Sequence, residues 1–153
     1  MNAEGYALID TTPSLGVQYP ISGHQAVLSS GVITAQLPAD SKVQIALTSS
    51  SRVSLQRSPY AGVIQAPATT LTGAVVGVAV YAVTAAQYGW IQTRGPAGVL
   101  ITGTPAVGAA VVSPSGTAGA AAVDPADAAV TIIGSMMVTG VSGKVQAVML
   151  RLD

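Results

Sequence analysis

The residue types that could do chemistry are few in this chain and stand far apart. His24 is the only histidine and lies in Ser22-Gly23-His24-Gln25, which reads as a loop. A general base or a metal ligand needs partners, and a lone loop histidine is the commoner surface case. Ser22, Ser29 and Ser30 are close to it in sequence, but no Gly-x-Ser-x-Gly nucleophile elbow occurs. The acids are Glu4, Asp10, Asp40, Asp124, Asp127 and Asp153. Only Asp124 and Asp127 are neighbours. They flank a turn, where Asp124 as N-cap and Pro125 at the first position suit one short helical turn. Gly143-Lys144 lacks the upstream glycine spacing of a phosphate loop. These residues give no expectation of a catalytic group, a bound metal or a cofactor, and an enzyme is the least favoured class.

A different chemistry, that of adhesion, fits the remaining residue types. In an extended strand Tyr88, Trp90, Gln92 and Arg94 share one face, with Ile91 and Thr93 on the other. An exposed aromatic beside an arginine is a common interface anchor, and a core tryptophan is the alternative. Lys42, Arg52 and Arg57 fall in what reads as a single hairpin. There they could meet an acidic partner surface or simply form a solvated strand face. These seven residues are the candidate interface set.

Composition points the same way. Half of the 153 residues are hydrophobic and only 8% are charged, against roughly 25% in an ordinary soluble domain. Such a surface is weakly solvated and suits a large assembly interface. Six basic residues balance six acidic ones, so the excess positive charge that nucleic-acid binding needs is missing. There is no cysteine, which removes disulfides and thiolate metal sites. Met1-Asn2-Ala3-Glu4 does not read as a secretory leader. Leu71 to Ala86 is uncharged but has 16 residues, short of the about 20 that a spanning helix needs. A buried strand is expected there, and no membrane partner.

The elements that must position these residues read as strands. Residues 1–38 are interrupted every few positions, at Thr11-Thr12-Pro13, Leu15-Gly16, Tyr19-Pro20 and Ser22-Gly23. They suit an extended arm with short strands near Tyr6–Ile9 and Ala26–Leu28. A strand is expected over Gly31–Leu37. Lys42–Thr48 alternates cleanly, Ser49-Ser50-Ser51 turns, and Arg52–Arg57 alternates again, predicting a hairpin. Further strands are expected at Tyr60–Gln65, Val75–Val83, Ala109–Val112, Ala120–Val123, Thr131–Val138 and Lys144–Leu152. Around Gly95-Pro96-Ala97-Gly98 a second hairpin is expected, since proline presets a turn and the glycines accept positive φ. About ten short strands with regular turn signals and no helical periodicity make the fold all-β. A small β-barrel or β-sandwich, SH3-like or related, is expected over 39–153, with 1–38 as its turn-rich arm.

The run Tyr88-Gly89-Trp90-Ile91-Gln92-Thr93-Arg94-Gly95-Pro96-Ala97, with Val107-Gly108, Ser113-Pro114-Ser115-Gly116 and Ile132-Ile133-Gly134-Ser135-Met136, resembles small β-rich virion proteins of tailed bacteriophages. Similar strings occur in capsid decoration (cement) proteins, and the likeness spans roughly residues 75–152. The resemblance implies a structural protein on the capsid exterior. It would form trimers or dimers, clamp neighbouring major capsid subunits and stabilise the head. Another phage structural part (head fibre base, tail or shell subunit) is the alternative, as is a carbohydrate- or host-binding β module that uses Trp90 and the tyrosines for stacking.

Overall fold

The computed structural model describes residues 4–25, 31–125 and 130–152. Among them the fold is all-β. In chain order the strands are β1 (Gly5–Ile9), β2 (Gln18–Ile21), β3 (Gly23–His24), β4 (Ala35–Gln36), β5 (Val53–Arg57), β6 (Val78–Ala79), β7 (Ile91–Gln92), β8 (Arg94–Thr102), β9 (Ala110–Ser113), β10 (Ala120–Val123), β11 (Thr131–Met136) and β12 (Lys144–Arg151). The chain packs as two units, Met1–Val63 and Ile64–Asp153.

The first unit holds a three-stranded antiparallel sheet in the order β2-β1-β5. Period-two alternation decides its buried face. Gly5, Ala7 and Ile9 of β1 and Tyr19 and Ile21 of β2 point inward, and Tyr6 points out. Pro20 sits within β2 opposite Tyr6, although Tyr19-Pro20 reads as a break. A proline has no N–H for a ladder, and β2 is an edge strand that needs none on its outer side. Packing runs across position 38/39, because β5 completes the sheet that β1 and β2 begin. The short pair β3–β4 brings His24 opposite Ala35, so the histidine expected in a loop lies on a strand.

In the second unit five strands close into a barrel, with neighbours in the order β10-β8-β12-β11-β9. β9 then pairs with β10, and the one parallel contact is β10 with β8. Val99, Ile101, Val111, Ala121, Ile133, Met136, Val148 and Leu150 fill it, all buried. Strands β8 and β12 align over eight residue pairs, from Arg94–Arg151 to Ile101–Lys144. Inward Val99 and Ile101 face the same side as inward Val148 and Leu150.

Strand β11 changes phase midway. Ile132 pairs with Val112 and Gly134 with Val111, so Ile133 is the extra residue of a bulge. The bulge lets Ile133 and Met136 both point inward despite their odd spacing. Gly134 is required there. A Cβ at this position would lie 2.2 Å from the Met149 carbonyl oxygen of β12.

Several expected strands are absent. The hairpin at Gly95-Pro96-Ala97-Gly98 does not form: these residues run straight through β8. Pro96 is tolerated because β10 joins β8 only from Leu100 onward, so the 94–97 segment has β12 as its one neighbour. Gly95 takes a φ of +84° at the start of the strand, a bend that glycine allows without strain. Lys42–Thr48 forms no ladder, and β5 pairs with β1 rather than with it. Tyr60–Gln65 is a turn followed by irregular chain. Only Val78–Ala79 of the expected Val75–Val83 strand is paired, and that segment is half-buried to exposed rather than enclosed. Gly31–Leu37 shrinks to β4. Ala26–Leu28 and the 126–127 part of the expected helical turn lie outside the described residues.

Candidate interaction surface

Tyr81, Tyr88 and Trp90 sit on a ribbon that grows out of the barrel unit. Val75 and Val78 pack against the barrel core and root it. Strand β6 pairs with β7, and the Val80 N–H donates to the Trp90 carbonyl at 3.2 Å, extending the pairing by one step. Beyond that point the chain loops out through Tyr81, Val83 and Tyr88. Tyr88 is fully exposed, Trp90 is 77% exposed and Tyr81 51%. The loop turns at Thr84–Gln87, where the Gln87 N–H donates to the Thr84 carbonyl. Ala86 in that turn has a φ of +62°, a left-handed conformation that costs an L-residue about 1–2 kcal/mol.

The structure exposes Trp90, so the core reading of that residue does not hold. The four-residue face expected around it is also divided. The Gln92 amide donates to the carbonyls of Arg94 at 2.9 Å and Pro96 at 2.8 Å, which ties it to the start of β8. Arg94 begins the barrel strand, while Tyr88 and Trp90 remain on the loop. Val80, Val83 and Tyr81, which the near-continuous apolar run places in a buried strand, are exposed beside the aromatics instead.

The basic set is divided in a similar way. Arg52 and Arg57 flank and end β5, and its antiparallel partner is β1. The Arg52 N–H donates to Thr11 Oγ1 at 2.9 Å. Among the described residues Lys42 lies on a segment with no strand partner, so no hairpin there carries the three cations together. The Ser49-Ser50-Ser51 turn is present, closed by Ser51 N–H to the Thr48 carbonyl. In the segment before it the Gln44 N–H donates to the Tyr19 hydroxyl of β2 at 3.3 Å.

Each unit, taken by itself, carries an exposed stretch with few charges. No residue from 31 to 90 is buried, and the large apolar side chains among them include Val32, Val43, Ile45, Ile64 and Val80, each 46–91% exposed. From Ser58 to Thr93 there is no charged residue. Scattered apolar side chains are normal on any surface, whereas long runs of them rimmed by few charges mark contact sites.

His24 lines a shallow open cavity with Glu4, Gly5, Ile21, Leu55, Gln56 and Arg57. Its Nδ1 lies 3.1 Å from the Gln25 carbonyl, which can only accept, so this bond places the proton on Nδ1. Glu4 is the one acid in the lining. Among the described residues no three His, Cys, Asp or Glu side chains gather as metal ligands. No helix among them is long and apolar enough to cross a membrane. No protein-family model, no curated protein and no solved structure matches the chain.

Proposed function

We propose that this is a structural protein of a larger shell, a capsid decoration protein that binds the exterior of a tailed-phage head and clamps major capsid subunits. The observation that carries the reading lies within the second unit: a rooted ribbon on which Tyr81, Tyr88 and Trp90 stand exposed, in a run from 64 to 93 without a charged residue. Such a surface gains when it is laid against another. About 25 cal/mol is gained per Å² of apolar surface covered, less the cost of association. Aromatic residues in mid-patch concentrate that gain. The resemblance of residues 75–152 to phage decoration proteins supplies the shell as partner. The barrel would act as the stiff mount for the ribbon.

The test is co-sedimentation of the purified chain with expanded phage heads, and location of the labelled chain on them by electron microscopy. Binding at a fixed copy number on the outer surface is expected. Trp90→Ala should weaken it at least tenfold while leaving the chain's thermal unfolding unchanged. A chain that never sediments with heads, or that is found only in tails, overturns the decoration reading.

The exposed aromatics favour one second reading, a glycan-binding module in which Trp90 and Tyr88 stack on sugar rings. A glycan array separates the two. Glycan binding that Trp90→Ala abolishes, with no binding to heads, selects the second.

A further inference from the structure

We infer that the outer edge of β5 is a dimerisation strand, which pairs antiparallel with β5 of a second copy about a two-fold axis through Leu55. The inference concerns the first unit alone and does not depend on the decoration reading.

Hydrogen-bond parity leads to it. The Asp10 N–H donates to the Arg52 carbonyl at 2.9 Å, and the Ser58 N–H donates to the Glu4 carbonyl at 3.4 Å. These bonds lie just beyond the two ends of the β1–β5 ladder, in which Leu8 faces Ser54 and Tyr6 faces Gln56. In an antiparallel pair, residues that exchange bonds alternate with residues that do not. Positions 52, 54, 56 and 58 therefore turn their backbone groups toward β1. Val53 and Leu55 turn theirs outward, and among the described residues those groups have no partner. Val53 is 43% exposed and Leu55 46%.

The two edges of the sheet are built differently. The β2 edge carries Pro20, one of the devices that blunt an edge against pairing. The β5 edge, Val-Ser-Leu-Gln-Arg, has no proline and no bulge. It is open to strand addition, where main-chain bonds give affinity and alternate side chains give specificity.

Its own sequence is the complement that fits. An axis through Leu55 sets Leu55 opposite the partner's Leu55, so each exchanges both backbone bonds with the other. Ser54 then faces the partner's Gln56, polar against polar. Val53 faces the partner's Arg57, whose methylene stem can cover it. This register pairs all five residues of β5, whereas sliding the axis to Arg57 would set two guanidinium groups face to face. On β1 the partners of Leu55 and Val53 are the buried Ala7 and Ile9. Leu55 and Val53 thus belong to the core face, and the second copy continues that face across a six-stranded sheet.

The chain has no cysteine, which makes disulfide trapping a clean test. Leu55→Cys under mild oxidation is expected to yield a disulfide-linked dimer on a non-reducing gel. Val53→Cys is expected not to, because two copies of position 53 would stand four residues apart along the sheet, roughly 13 Å, beyond disulfide reach. Leu55→Pro removes only an outward N–H and should weaken self-association at least tenfold in sedimentation equilibrium, with the β-sheet circular dichroism unchanged. Linking of Val53→Cys as readily as Leu55→Cys overturns the register. Failure of Leu55→Cys to link, or its preferential linking to Ile45→Cys in mixed chains, overturns the β5–β5 pairing. These outcomes are read without phage heads, so they are separate from the decoration test.

Discussion

Val148 and Val43 stand in stretches with the same grammar, apolar and polar residues in alternation, and end differently. Val148 in β12 is wholly buried, and Val43 is 48% exposed. The difference lies in their neighbours. β12 has β8 on one side over eight aligned pairs and β11 on the other. Among the described residues the Lys42–Thr48 segment has no ladder partner. Alternation makes a chain two-faced, but a face is buried only when another element covers it. The barrel supplies its own cover, and the 31–90 stretch does not.

The largest effect should separate the two regions directly. Ile101→Ala, at a fully buried barrel position, should lower the unfolding free energy by about 2–5 kcal/mol. Ile45→Ala, at a position 46% exposed, should change it by no more than about 0.5 kcal/mol. Urea titration of both variants measures this. Equal losses would mean that residues 31–90 are packed in the isolated chain, and the contrast would fail.

A smaller effect sharpens the account of the barrel. Gly134→Ala places a methyl group against the Met149 carbonyl at the bulge, and overpacking of this kind costs about 1–3 kcal/mol. The loss should fall on β11 and β12, read as faster amide exchange in those strands. Unchanged exchange there would remove the close-approach argument.

The smallest has the opposite sign. Ala86→Gly relieves the left-handed turn of the ribbon and should stabilise it by about 1 kcal/mol. Because the ribbon lies outside the barrel wall, the gain should appear as slower proteolysis of the 80–90 loop, with little change in barrel unfolding. A loop that is cut faster after the substitution would show that the turn is not formed in solution.

Much of the barrel was legible in the residues. Glycine- and proline-bearing turns bracket Ala110–Ser113, Ala120–Val123, Thr131–Met136 and Lys144–Arg151, and local turn chemistry is a short-range signal. The same signal misled at Gly95-Pro96, where turn-forming residues serve an edge segment of a long strand. The Val75–Val83 run was misread for another reason. Apolar content says what burial would gain, yet it cannot say whether a partner exists. Of the candidate surface, Tyr88 and Trp90 could be named from their types, and Arg52 and Arg57 from their alternation. The companions Tyr81, Val80 and Val83 could not, since they read as core. The free edge of β5 was hidden as well, because its parity depends on pairing with β1, more than forty residues away.

By itself the amino-acid sequence determined the all-β character, the positions of most barrel turns, and a surface too poor in charge to be well solvated. These follow from backbone preferences and composition, which act within a few residues. Only the tertiary structure decided which alternating segments found partners, which edge of the first sheet stayed open, and that the tryptophan faces outward. Those outcomes depend on pairings between distant residues, and one strand partner gained or lost decides whether an alternating sequence is buried or exposed.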